Sequence, residues 1–326
     1  MAQQSIPPTQ YFLNEYIVCC IKWGELKTAL SCIQECLDDG TIQVLPVTWD
    51  QLFIHYSNQK SREAWLEGIS VWETKFKRAL PLLQPSTSTY LKIMELYTKL
   101  QRPQDTRNVY IDADENINRL LVSHCKRFGL DDDVEWKANT QTRFFNAHLS
   151  SLASTKQLDL VVEEYTDFLK TGTLQLAKKA ALDTFHILFR VGSPDPSSPL
   201  YAKKLWQDMI QQLHLTPDYL LYSRMISLLA NQAEMSEMYR EATTTLSLHI
   251  GSFKRQAIDS SFISAITRID SRKGMETLEE IRSIEGARFP LRLTYNGLIE
   301  KLQSEGHNEE AKKVSEWLQK DYLIKS

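Results

Sequence analysis

The chain has 326 residues, of which 42% are hydrophobic, and only 11 are glycine and 11 proline. This composition supports a substantial buried core and excludes a largely disordered chain. The net charge of −3 excludes a chain built around one continuous basic surface. Helix-forming residues dominate and Val-rich alternating stretches are scarce, so we expect an all-α fold.

The sequence carries no signal for a membrane or for secretion. No run approaches about 18 consecutive apolar residues, which predicts no membrane span. The opening, Met1 to Tyr11, has neither an apolar signal core nor the arginines of a transit peptide. The cysteine count of 5 is odd and favours a reducing compartment over a disulfide framework. Cys32 and Cys36 share a helix face, but without a Cys-x-x-Cys spacing or a nearby His we interpret them as buried hydrophobes and expect no metal.

The first predicted helical pair already shows a pattern that recurs along the chain. A first helix carries Phe12-Leu13-Asn14-Glu15-Tyr16-Ile17, followed by Gly24 and Ala29, and the same offsets recur at Thr294-Tyr295-Asn296-Gly297-Leu298-Ile299, Gly306 and Ala311. We call the first residue of this template the anchor. Sliding the template along the chain places anchors at Phe12, Thr48, Thr89, Phe144, Thr184, Leu221, Ser261 and Thr294. Their spacing predicts helical hairpins with a period of roughly 35 to 40 residues, and we expect the first helix of each hairpin to begin near its anchor.

The residues one, four, five and eight positions past each anchor form an apolar stripe that recurs from unit to unit. Offsets of three, four and seven place them on one helix face, and only His148 and Gly192 break the apolar column. Because one hairpin cannot bury two apolar faces, we expect the units to stack on their neighbours. The prediction is a right-handed α-solenoid of about eight hairpins over residues 1–326, with a division into segments 1–128 and 129–326 as an alternative.

Two stretches depart from the period. The long interval between Thr89 and Phe144 predicts either an extended helix or a degenerate extra unit, and Gly129 followed by Asp131-Asp132-Asp133 predicts a helix stop and a new N-cap. The acidic run could instead suggest a metal-dependent nuclease, but the cap is the better interpretation. The second departure is the proline-rich stretch from Gly192 to Pro199, which predicts a loop inside one hairpin.

The boundaries between units carry a family resemblance. Leu205-Trp206-Gln207-Asp208-Met209 followed by Pro217-Asp218-Tyr219-Leu220-Leu221-Tyr222-Ser223 resembles the pentatricopeptide repeat, whose unit is a helical hairpin of roughly 35 residues ending in Pro-Asp. The unit at Thr294-Tyr295-Asn296 is a second match, and Pro46-Val47-Thr48-Trp49 is a weaker third. The tetratricopeptide repeat is the competing helical hairpin, but its Trp, Leu-Gly, Tyr and Pro pattern does not recur.

The resemblance implies an RNA-associated protein of an organelle, usually a mitochondrion or plastid, that acts in RNA processing, stability or translation. In the family one base is read per repeat, by the residue three past the anchor together with the last residue of that repeat. Here the first of these positions holds Glu15, Gln51, Lys92, Ala147, Ile187, Arg224, Ser264 and Gly297. Only Ser264 has the expected type, and its partner would be Arg292, which completes no known pair. The candidate RNA-binding residues are Gln51, Lys92, Arg224, Ser264 and Arg292.

Apolar groups at Ala147 and Ile187 cannot hydrogen-bond a base, so we expect Lys92 and Arg224 to meet phosphates rather than bases. No catalytic His spacing, P-loop or dinucleotide glycine pattern occurs, so we expect no enzyme activity, cofactor or small-molecule substrate. The partner is either single-stranded organellar RNA or a protein held in the groove of the repeats, in which case the chain is a scaffold or assembly factor. Mitochondrial localisation follows from the resemblance alone; the alternative is cytoplasmic.

Overall fold

The computed structural model of the protein describes residues 10–40, 42–77, 84–191, 198–249 and 251–322. Regular structure in these ranges is entirely helical, with no residue in a β-strand, which confirms the all-α prediction. None of the helices in these ranges is long and apolar enough to cross a membrane.

The described part of the chain contains eighteen α-helices. In chain order they are α1 (Gln10–Trp23), α2 (Leu26–Asp39), α3 (Pro46–Asn58), α4 (Arg62–Val71), α5 (Thr87–Lys99), α6 (Pro103–Glu115), α7 (Ile117–Phe128), α8 (Val134–Ser154), α9 (Leu158–Lys170), α10 (Thr173–Leu176), α11 (Lys178–Val191), α12 (Ser198–Gln207), α13 (Tyr219–Leu228), α14 (Gln232–Thr245), α15 (Phe253–Ile269), α16 (Ser271–Ser283), α17 (Arg292–Ser304) and α18 (Asn308–Tyr322). Helices α4 and α12 continue into the π-helical turns Trp72–Phe76 and Asp208–Gln212.

Every anchor lies in the first helix of a hairpin, as the repeat predicts. The eight hairpins are α1–α2, α3–α4, α5–α6, α8–α9, α11–α12, α13–α14, α15–α16 and α17–α18. The prediction that first helices begin near their anchors is wrong for α8, α11 and α15, which begin well before Phe144, Thr184 and Ser261. In α8 and α15 the early start has a local cause, because the side chains of Asp133 and Ser252 accept hydrogen bonds from the backbone and cap an additional helical segment.

Residue contacts divide the chain into two compact units, Met1–Ala181 and Leu182–Ser326. In the first unit α1, α3, α5 and α8 pack against one another in chain order. In the second unit α13, α15 and α17 do the same. Second helices also contact the following first helix, as α6 does with α8 and α14 with α15. Within each unit, successive hairpins therefore pack against one another, as stacked repeats require.

The predicted apolar column forms the core of both units. Trp49, Tyr90, Phe185 and Tyr295 are at most 1% exposed, as is Tyr222. Tyr16 and Ile269 are exceptions, with 45% and 46% exposed. Phe262 is half-buried and stacks on Tyr239, with ring centroids 4.4 Å apart. The position at Gly192 and most of the predicted proline-rich loop lie outside the described residues.

The long interval between Thr89 and Phe144 contains α6, which is the second helix of its hairpin, and an additional helix, α7. Only Asn116 separates these two helices. Gly129 has a φ of 67° and ends α7 in the left-handed conformation that glycine adopts at least cost. The Asp133 carboxylate then accepts a hydrogen bond from the backbone N–H of Trp136, at 2.8 Å, and caps α8. Gly129 is therefore the helix stop and Asp133 of the acidic run is the new N-cap, as predicted.

Candidate nucleic-acid interface

The residues three positions past the anchors lie on the first helices, but their exposure differs. Ile187 is only 7% exposed and is part of the core. Gln51, Lys92, Ala147 and Arg224 are half-buried, and the remaining three of these positions are exposed: Glu15, Ser264 and Gly297. A continuous row of base-reading polar groups is absent from these eight positions.

Lys92 forms an ion pair within its own helix. Its Nζ lies 2.8 Å from Glu95 Oε2, and Lys99 Nζ lies 2.9 Å from the other oxygen of the same carboxylate. Burial of Glu95 opposes ionisation, but hydrogen bonds from both lysines outweigh it and lower the pKa of Glu95. Lys92 therefore offers phosphate a charge that is already shared with a carboxylate.

Arg224 is held at the junction of two hairpins of the second unit. Its Nη1 donates a hydrogen bond to the backbone carbonyl of His186 on α11. His186 Nε2 lies 3.0 Å from Asp218 Oδ2, and Asp218 Oδ1 accepts from the backbone N–H of Leu221 and caps α13. The Pro-Asp boundary that carried the family resemblance thus helps to fix the position of Arg224.

Arg190 is a second cation at this junction, and the repeat template did not single it out. Burial is the main cause that lowers the pKa of Arg224, the charge of Arg190 adds to the lowering, and Asp218 opposes it. Arg190 lies one helical turn after His186, whose backbone carbonyl binds Arg224. Arg190 is exposed and makes no hydrogen bond or ion pair with any described residue. A sequence signal was available, since Arg190 lies six residues past its anchor, one helical turn from Ile187.

The other predicted site residues are not brought together. Ser264 and Arg292 are both exposed, and no hydrogen bond joins them in the described part of the chain. Arg292 instead lies near Tyr322, whose pKa is raised mainly by burial while the charge of Arg292 opposes that rise. Gln51 is half-buried on α3. The pair proposed from Ser264 and Arg292 therefore has no direct geometric support.

The residue two positions past the anchor has a structural role that sequence reasoning missed. In four units its side chain makes a polar contact with the beginning of the next hairpin. Asn14 accepts from Thr48 Oγ1 at 2.7 Å, Asp50 accepts from Ser86 Oγ at 2.7 Å, Asn146 Nδ2 donates to the Ala180 carbonyl at 2.9 Å, and His186 contacts Asp218 at 3.0 Å. The sequence did carry a signal for this contact, because a polar residue recurs two positions past the anchor, beside the apolar stripe. These contacts fix the register of adjacent hairpins.

A second recurring contact closes individual hairpins. The tyrosine hydroxyls one position past three anchors donate to a carboxylate on the second helix of the same hairpin. These bonds are Tyr90 to Asp112 at 2.9 Å, Tyr222 to Glu241 at 2.9 Å and Tyr295 to Asp321 at 2.6 Å. Burial, followed by the hydrogen bond to Glu241, raises the pKa of Tyr222 to about 12. The buried hydroxyl is thus satisfied, as a buried polar group requires.

The five cysteines are free thiols, and burial raises the pKa of Cys32 and Cys36. In the described ranges no group of three or more His, Cys, Asp or Glu side chains is placed to hold a metal ion.

The comparison with solved structures identifies the fold. No family model and no curated protein matches the sequence. The crystal structure of the pentatricopeptide repeat protein PPR10 in complex with an 18-nt psaJ RNA element matches with a TM-score of 0.51 at 16% identity, over 97% of this chain and 46% of that one. The fold is that of a pentatricopeptide-like helical repeat protein. The family resemblance found in the sequence is thereby confirmed at the level of the fold.

Two further structures complete the comparison. A cysteine-to-serine variant of PPR10 with the same RNA element gives the same identity, 16%, and the same TM-score, 0.51. PPR10 from maize matches at 14% identity with a TM-score of 0.47, over 97% of this chain and 45% of that chain. The present chain spans less than half the length of these structures.

Proposed function

We propose that the chain binds single-stranded RNA through the first helices of its hairpins and acts, without catalysis, in the processing, stability or translation of mitochondrial transcripts. One observation carries the RNA contact. Arg224 on α13 is bound to the His186 carbonyl of α11, and Arg190 lies one helical turn further along α11, so two adjacent first helices each supply an arginine to this junction, one of them at the position where the family reads bases. Like charges held together cost free energy, and a bound anion relieves that cost.

The contact is with the phosphate backbone rather than with base edges. Arginine forms bidentate hydrogen bonds with phosphate oxygens, and such contacts position RNA without reading its sequence. The core position of Ile187 removes one of the reading positions beside Arg224. The PPR10 structure that holds an 18-nt RNA element supports a helical repeat of this type as an RNA-binding surface. Weak sequence preference and steep salt dependence follow.

The test is a titration of unrelated single-stranded RNAs into wild type and the Arg190→Gln, Arg224→Gln double variant at several salt concentrations. Each lost phosphate contact lowers the slope of log affinity against log salt by about 0.7. We expect weaker binding to every RNA and a shallower slope. The matched control is Lys178→Gln, Lys179→Gln, which removes two exposed charges from the first turn of α11. Equal losses in both variants, or none in either, would contradict a contact at Arg190 and Arg224.

The second candidate is a protein-binding scaffold or assembly factor. The net charge of −3 and the apolar groups at Ala147 and Ile187 favour it. Crosslinking the protein in cells, sequencing the bound RNA and identifying co-purified proteins distinguish the two functions. Enrichment of mitochondrial transcripts supports the first proposal and its compartment. Enrichment of proteins without RNA supports the scaffold.

A further inference from the structure

A cleft lies in the second unit on a face built largely by second helices. It encloses about 390 Å³ and is formed by α12, α13 and α14, a volume typical of pockets that hold a ligand group. Its apolar lining consists of Trp206, Met225, Leu229 and Met238. All but Met238 are at least nine-tenths buried, so the floor is a fixed part of the core.

The rim of the cleft has an excess of negative charge. Three carboxylates line it, from Glu234, Glu237 and Glu241, against one cation, Lys203. Lys203 Nζ lies 2.7 Å from Glu234 Oε1 and neutralises that carboxylate across the gap between α12 and α14. Glu241 accepts a hydrogen bond from the neutral Tyr222 hydroxyl at 2.9 Å, which leaves its charge uncompensated. Glu237 is exposed and makes no hydrogen bond or ion pair with any described residue.

Two other second helices of the same unit, α16 and α18, are joined by paired charges. Helices α16 and α18 contact each other, and three ion pairs join them. These are Arg272 with Glu310 at 3.3 Å, Arg282 with Asp321 at 2.6 Å, and Lys313 with Glu279 at 3.4 Å. Three cations therefore face three carboxylates there. At the cleft between α12 and α14 one cation faces three carboxylates, and Glu237 and Glu241 form no ion pair with any described residue.

We propose that this cleft binds an arginine or lysine side chain from an apolar segment of a protein partner. The aliphatic stem of such a side chain packs on Trp206 and Met238, while its charged head reaches Glu237 and Glu241. Apolar neighbours on the partner cover the remaining floor at Met225 and Leu229. The carboxylates at the rim require a cation, and the apolar floor requires an apolar stem.

Nucleic acid does not suit this cleft, because phosphates would be repelled by Glu237 and Glu241. The proposal thus adds a protein-binding surface to the RNA contact at Arg190 and Arg224, and it does not depend on that contact. The chain would join RNA to a basic protein segment through separate side chains of the same unit.

The test uses random 12-residue peptides displayed on phage and selected on the immobilised full chain. Enriched peptides are synthesised, and their Kd is measured by fluorescence anisotropy with wild type and with Glu237→Gln, Glu241→Gln. The variant keeps an oxygen that can accept from Tyr222, so its unfolding midpoint should equal that of wild type. The matched control is Glu276→Gln, Glu280→Gln, which removes two exposed carboxylates from α16.

We expect the enriched peptides to carry Arg or Lys beside apolar residues, and to lose affinity by about tenfold in the cleft variant and not in the control. Single-stranded RNA should not displace them. Three results would overturn the proposal: no enrichment, enrichment of peptides without a basic residue, or equal affinity for wild type and the cleft variant. A failed RNA titration with successful peptide selection would leave this proposal standing, so the two are separable.

Discussion

Twelve residues past the anchor, the backbone of four hairpins enters the left-handed region. Glycine occupies this position twice, as Gly24 and Gly306, each with a φ of 82°. Gln101 and Lys156 occupy it in two other hairpins, with φ values of 57° and 58°. The same backbone bonds recur there, since Gln101 N donates to the Thr98 carbonyl at 3.0 Å as Gly306 N does to that of Gln303 at 3.1 Å. These four hairpins share the turn whether or not glycine is present.

Replacing Gln101 with glycine should therefore raise the free energy of unfolding by about 0.5–1 kcal/mol. The left-handed conformation costs a residue with a Cβ about 1–2 kcal/mol, and the greater entropy of unfolded glycine offsets part of the gain. Denaturant unfolding measures the change. Lys60→Gly is the matched control, because Lys60 occupies the same repeat position without a positive φ. Destabilisation by Gln101→Gly equal to that of Lys60→Gly would contradict the expected strain.

The aromatic residues one position past the anchors differ in burial, which predicts unequal losses of stability when they are truncated. Tyr222→Ala should lower the free energy of unfolding by about 3–5 kcal/mol, the cost of truncating a fully buried aromatic residue. Phe262→Ala should cost clearly less, because its ring is half-buried against Tyr239. Lys254→Ala, which removes only a cation 5.8 Å from the Tyr219 ring centroid, is the control with almost no effect. Equal midpoints for the two aromatic variants would show that burial of the column does not govern stability.

At the scale of elements, α8 carries an unusual buried titratable group against α6 and α9. His148 is 1% exposed, stacks on Tyr110 with centroids 5.3 Å apart, and lies 3.6 Å from Glu164 Oε1. Burial lowers the pKa of His148 and outweighs the attraction of Glu164, while Arg107 adds to the lowering. The unfolded chain therefore binds a proton at this residue before the folded chain does.

The sign of the pH effect follows from this difference. Above the unfolded His pKa of about 6.5 neither state is protonated, and below it the unfolded state gains a proton that the folded state resists. The contribution of His148 to stability is present above that pH and decreases as the pH falls. The loss of unfolding free energy between pH 7.5 and pH 5.5 should be smaller in His148→Gln than in wild type. An equal loss in His148→Gln and in the exposed control His249→Gln would contradict it.

Sequence periodicity was sufficient to find the helices but not all of their ends. The anchors and the buried column follow from residue type and spacing, which a single sequence displays directly. The early start of α8 depends on Asp133, which caps the helix eleven residues before Phe144. This cap was predicted, whereas the continuous helix from there to Phe144 was not. Contacts such as Thr48 with Asn14 cross between hairpins, so spacing within one repeat does not reveal them.

At the scale of the whole molecule, the candidate site was only partly predictable. Arg224 was found because the resemblance assigns its position, and the structure joins it to His186, one helical turn before Arg190, which lies outside that template. Lys92 was selected for its charge, but Glu95 one helical turn away pairs with it. Spacing identifies which side chains share a helix, while the balance of charge depends on residues brought together by folding. The pair formed by Ser264 and Arg292 and the division after residue 128 stay predictions.

The claim that RNA lies against Arg190 and Arg224 can be tested by the position of a covalent crosslink. Single-stranded RNA containing 4-thiouridine is bound to the full chain, irradiated and digested, and the crosslinked peptides are identified by mass spectrometry. We expect crosslinks within α11 and α13, near His186, Arg190 and Arg224, and their loss in the Arg190→Gln, Arg224→Gln variant. Crosslinks confined to α12, α14 and α16, or a pattern unchanged in that variant, would contradict RNA binding on the first helices.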